Sequence, residues 1–104
     1  MKIVRVTYTT KPGYTDQNKA NIQKVMTDLQ ELNYPGINYH VCLGADGKSF
    51  THTAFFRADE DQPKLLELPS FQYFQEQLKQ NGIETPPQQE LLQLVGSSTG
   101  IFED

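Results

Sequence analysis

At 104 residues, with 37% apolar and 21% charged positions, the chain reads as one globular domain spanning residues 1–104 and is too apolar to be disordered. Nine basic residues against thirteen acidic ones leave a net charge of −4, which argues against nucleic acid and anionic membrane surfaces as partners. Cys42 is the only cysteine, ruling out an intrachain disulfide or a cysteine-based zinc site, and the start "MKIVRVTYTTKPG" has no signal-peptide core, so a reducing cytoplasm is expected.

Residues 2–10, "KIVRVTYTT", alternate with period two and are rich in β-branched and aromatic side chains, the pattern of a strand. "KPGYT" ends it, with Thr15 placed to cap a helix. From Asp16 to Leu32 the apolar residues Ile22, Val25, Met26, Leu29 and Leu32 recur every three or four positions, forming one stripe of an amphipathic helix. "NYPG" stops that helix, because Pro35 disfavours the α conformation at Tyr34 and Gly36 turns the chain.

Two alternating strands follow, Ile37 to Gly44 and Ser49 to Arg57, joined around Asp46-Gly47, a pair suited to a type I′ turn. Next, "ADEDQPKLLELPS" predicts a short helical turn with Pro63 near its start and Ser70 as the cap of a second helix. Phe71, Phe74 and Leu78 make the apolar stripe of that helix, and Asn81-Gly82 is its stop. "ETPPQQ" reads as an extended linker, Glu90 to Val95 as the last strand, and "GSSTGIFED" as a tail that either frays or extends it.

The order β-α-β-β-α-β is the split pattern of an α+β ferredoxin-like fold: a four-stranded antiparallel sheet with both helices on one face. With Asp46 and Gly47 central in the turn, Leu43 faces Phe50, Val41 faces His52, Tyr39 faces Ala54 and Ile37 faces Phe56. Alternation then puts His40 and His52 on opposite sides of the sheet. They cannot share a metal or a proton within one chain, and no metal is expected.

The side with Val4, Val6, Tyr8 and His52 is the more apolar and is expected beneath the helices. The other side gathers Ile3, Arg5, Thr7, Thr9, Asn38, His40, Cys42, Thr51, Thr53 and Phe55, with Leu91, Gln93 and Val95 as further members. So mixed a surface, left open, is a sticky patch. A second copy covering it gives a homodimer whose two sheets enclose a lumen suited to a small apolar or aromatic molecule. Arg5, if it points into such a lumen, needs a carboxylate or an anionic ligand. There is no glycine-rich phosphate loop, nucleophile elbow or metal-spaced cluster.

Taken together, the element order, "KPG", "PGINYHV", "DGKSFTH" and "LPSFQYFQEQL" resemble the dimeric α/β-barrel superfamily, and within it the antibiotic-biosynthesis-monooxygenase-like proteins. The resemblance spans essentially the whole chain and bears on fold more than on function. It implies a pocket between each sheet and its helices or within the barrel, so Tyr8, Tyr39 and His52 stand as candidates beside the other face. Haem-degrading members use an asparagine, a tryptophan and a histidine; this chain has no tryptophan, so no haem or other cofactor is expected. A cofactor-free oxygenase needs a base and polar groups for the anion it creates. His52 or His40 would be the base, with Arg5, Asn38 or a tyrosine hydroxyl polarising an oxygen and Phe55 adding aromatic surface.

Overall fold

A computed structural model describes residues 1–102. Four strands form one antiparallel sheet: β1 (Lys2–Thr10), β2 (Ile37–Leu43), β3 (Ser49–Phe56) and β4 (Ile83–Leu92), in the order β2-β3-β1-β4. Helix α1 (Thr15–Leu32) connects β1 to β2. A 3₁₀ turn (Asp59–Asp61), α2 (Gln62–Leu66), α3 (Pro69–Gln77) and a π turn (Leu78–Gly82) connect β3 to β4. This is the α+β ferredoxin-like arrangement that the sequence pattern predicts.

The β2–β3 register is the expected one, from Ile37 against Phe56 to Leu43 against Phe50. The turn that sets it differs. Gly47 N–H bonds the Gly44 carbonyl, and only Gly47 has positive φ (+76°), whereas a type I′ turn would need it at Asp46 as well. Asp46 Oδ1 instead accepts the backbone N–H groups of Lys48 and Ser49, holding a longer loop centred on the same point. Both loops are symmetric about the 46–47 bond, so the strand register is common to them.

Two caps also differ from expectation. Thr15 is the first residue of α1 rather than its cap, and its hydroxyl ties Thr10 Oγ1 to the Gly47 carbonyl. Ser70 lies inside α3, which starts with Pro69 after the extended Leu68; a proline suits that position because its missing N–H would have no partner in the helix. At the other end of α1, Asn33 takes the left-handed conformation (φ 50°) and closes the helix on the Leu29 carbonyl.

"ETPPQQ" is not a linker: it is the first half of β4, paired with β1. Prolines are tolerated there because β4 is an edge strand. Between the pairs Thr7–Gln88 and Thr9–Thr85 lies one residue on β1 and two, Pro86 and Pro87, on β4, a bulge where the missing proline donors interrupt the ladder. The same register corrects the helix-free face: Glu90 and Leu92 lie there, opposite Arg5 and Ile3, while Leu91 pairs with Val4 on the helix side. Strand pairing stops before Gln93 and Val95.

The core lies between sheet and helices. Tyr8, Phe50 and Phe56 meet Ile22 and Val25 of α1 and Phe71 and Phe74 of α3, all under 10% exposed. On the helix-free side the tail returns across one corner. Asn38 Nδ2 donates to the Ile101 carbonyl at 3.1 Å, and the Arg57 guanidinium sits 5.3 Å above the Phe102 ring. The last two residues of the tail lie outside the described part. No described helix is long and apolar enough to cross a membrane.

Candidate functional site

The central side chain is His52, on the helix side of β3 and 5% exposed. Strand pairing brings Val6 beside it from β1 and Val41 from β2, so the tyrosines that reach it, Tyr8 and Tyr39, sit one step along each neighbouring strand. Tyr8 Oη is 2.7 Å from Nε2, and Tyr39 Oη is 2.5 Å from Nδ1. From α1, Asn18 Nδ2 donates to Tyr8 Oη at 2.8 Å. Phe74 of α3 stacks on the imidazole with centroids 5.3 Å apart.

Four polar groups therefore form one chain inside an aromatic shell. With Asn18 donating, the Tyr8 proton is free for Nε2, Nδ1–H donates to Tyr39, and the Tyr39 proton is left for a further acceptor. Burial lowers the His52 pKa to about 4, so the ring is neutral at pH 7. Burial likewise raises both phenols well above the ordinary tyrosine value, keeping them protonated donors. A buried imidazole with both nitrogens satisfied is also what a purely structural histidine looks like. The distinguishing observation is the space beside it.

Tyr8, Tyr39 and His52 line a cavity of about 670 Å³ between the sheet and the β3–β4 connection. Val4, Val6, Ala54 and Phe56 form its sheet wall, and Leu65, Phe71, Phe74 and Leu78 the wall opposite. The bulged prolines of β4 make one side of the mouth, and exposed Gln75 and Lys79 make another. That volume and an apolar lining around a few convergent polar groups are typical of a small-molecule site.

Of the residues singled out from sequence, His52, Tyr8 and Tyr39 are thus brought together. His40, Arg5, Asn38 and Phe55 are on the opposite side of the sheet. There, Arg5 pairs with Glu90 at 2.5 Å, Asn38 is engaged by the tail, and His40 is exposed. No group of three or more possible metal ligands occurs among the described residues. Sequence reasoning missed Asn18, which is fully buried. Its signal is phase: 18, 22, 25 and 29 continue the α1 stripe backwards, and a polar residue on that stripe calls for a buried partner.

No protein-family model and no curated protein matches the sequence. Among solved structures, a candidate antibiotic biosynthesis monooxygenase from Nitrosomonas europaea superposes with a TM-score of 0.78 at 14% identity, over 92% of this chain and 100% of its own. Rv0793 from Mycobacterium tuberculosis gives 0.77 at 14% identity, covering 94% and 98%. A variant of SnoaB, a cofactor-independent oxygenase from Streptomyces nogalater, gives 0.68 at 13%, covering 95% and 98%. At such identities the likeness is one of backbone, and the chain thus has the ferredoxin-like fold of the antibiotic-biosynthesis-monooxygenase-like proteins.

Proposed function

We propose that this protein binds a small, largely apolar aromatic molecule in the cavity between its sheet and α3, with Tyr39, His52 and Tyr8 as the polar end of the site. The observation that carries this reading is the hydrogen-bonded chain ending at Tyr39, a residue of the cavity wall whose hydroxyl has a proton left to give. An oxygen of the ligand is the natural acceptor. Thermal shift with 2-naphthol against naphthalene tests it. The naphthol is expected to raise Tm more than the hydrocarbon, and Tyr39→Phe to remove the difference. Equal shifts in wild type and variant would refute the assignment.

The second reading is a cofactor-independent oxygenase, supported by an imidazole in the cavity wall bonded to two phenols and by the fold shared with SnoaB. In that reaction His52 accepts a proton from an enolisable phenolic substrate, relayed through a tyrosine because both ring nitrogens are occupied. The resulting imidazolium and substrate anion stabilise each other away from water. The anion adds dioxygen at a ring carbon and takes the proton back as a hydroperoxide. Its O–O bond then breaks with loss of water to leave a quinone carbonyl, the substrate supplying all four electrons. Oxygen uptake with a readily enolised hydroxynaphthalene should then vanish in His52→Ala and survive in His40→Ala. Binding without uptake leaves the binding module.

The same reading includes a homodimer formed through the helix-free face. Half-buried Phe55 and exposed Leu92 support it, as apolar surface that a second copy would cover.

A further inference from the structure

We infer that the cavity selects an anionic aromatic ligand, a monocarboxylate, and that Lys79 is the residue that imposes this choice. The inference rests on the cavity being a small-molecule site, as proposed above, and adds the charge of its occupant.

The chain as a whole is acidic, with thirteen carboxylate side chains against nine cationic ones. The cavity reverses that balance. Among the described residues no aspartate or glutamate lines it, and Lys79 is the one lining residue with a permanent charge. His52 is neutral and the two tyrosines are protonated at pH 7, so the interior supplies no negative charge either. Lys79 sits on the π turn after α3, next to Leu78, which is 5% exposed in the opposite wall.

No described carboxylate holds it in an ion pair. Arg5, Lys24 and Lys48 each hold a carboxylate, and Lys2 bonds the Gln62 amide, but Lys79 has no carboxylate within ion-pair distance among the described residues. An ammonium on a long apolar stem at the rim of an apolar hollow leans its methylenes on the wall and leaves its charge at the opening. Apolar walls focus that potential along the entrance. A flat aromatic body can then occupy the hollow lined by Val4, Ala54, Leu65 and Leu78 while its carboxylate stays at the mouth, wet and beside the lysine. A cationic ligand finds no counter-charge and meets a like charge on entry.

Three probes of the same ring system separate the possibilities: 1-naphthoate, its isostere 1-naphthamide, and 1-naphthylmethylammonium. Their fluorescence is read without interference from tryptophan, which the chain lacks. Naphthoate is expected to bind about two- to fivefold tighter than the amide at low salt, the scale of one solvent-exposed ion pair, and the ammonium weakest. Lys79→Gln should bring naphthoate to the affinity of the amide and leave the amide unchanged. Lys79 is exposed, so the variant is expected to melt as wild type does. Equal affinities for naphthoate and amide in the wild type, or a naphthoate preference that survives Lys79→Gln, would overturn the charge assignment while leaving the cavity as a site. Failure of all three probes to bind would remove the cavity reading and the preference together.

Discussion

His52 couples its surroundings to pH, and the sign follows from its burial. The folded-state pKa of about 4 lies below the ordinary value of 6.5, so between these values the unfolded chain binds the proton more readily. The stabilisation of the fold is therefore complete above about pH 6.5 and declines as pH falls to about 4, by on the order of 3 kcal/mol. Urea unfolding at several pH values should show this slope, and His52→Gln should flatten it. A slope unchanged by the substitution would mean that the ring is wetter than its surroundings imply. Tyr8→Phe tests the same chain from another member. It strips the Asn18 amide and Nε2 of a partner at once, and a loss of about 1–3 kcal/mol is expected. At this scale the sequence was partly legible. Parity from the turn separated the two histidines, whereas Asn18 was hidden because a stripe search counts apolar residues and passes over a polar one in phase with them.

Helices and central strands follow their local chemistry closely, and the departures fall at turns and edges. The loop between β2 and β3 is held by Asp46 and by the left-handed Gly47, whose position leaves open space for a methyl group. Gly47→Ala therefore meets no clash and reports backbone strain alone. It should cost about 1–2 kcal/mol in chemical denaturation without moving the β2–β3 register. A neutral outcome would mean that the loop relaxes to another turn. β4 was the element least readable from sequence. Two prolines ordinarily argue against a strand, and only the knowledge that the strand is an edge, which depends on the order of the whole sheet, makes them acceptable. The return of the tail onto Asn38 was equally invisible, since a single backbone carbonyl supplies the hydrogen bond.

Over the whole molecule the two faces of the sheet divide the chemistry. Along β3 buried residues alternate with half-buried ones without exception, the helix side being the deeper. If the helix-free side is where two copies meet, sedimentation at micromolar concentration should give about twice the 11.9 kDa chain mass. Phe55→Lys, on that face, should shift the population to single chains while naphthol binding at Tyr39 persists. Single chains in the wild type would remove the dimer and leave the cavity untouched.

That last separation follows from where the cavity lies. Because it opens beside α3 and the β4 prolines, a thin wall of backbone stands between whatever is held and whatever is touched by a neighbour. Mutations that reshape the room on one side need not disturb the contact on the other. If the proposed site and the proposed dimer both hold, a lineage of such proteins is free to exchange its guest while keeping its company.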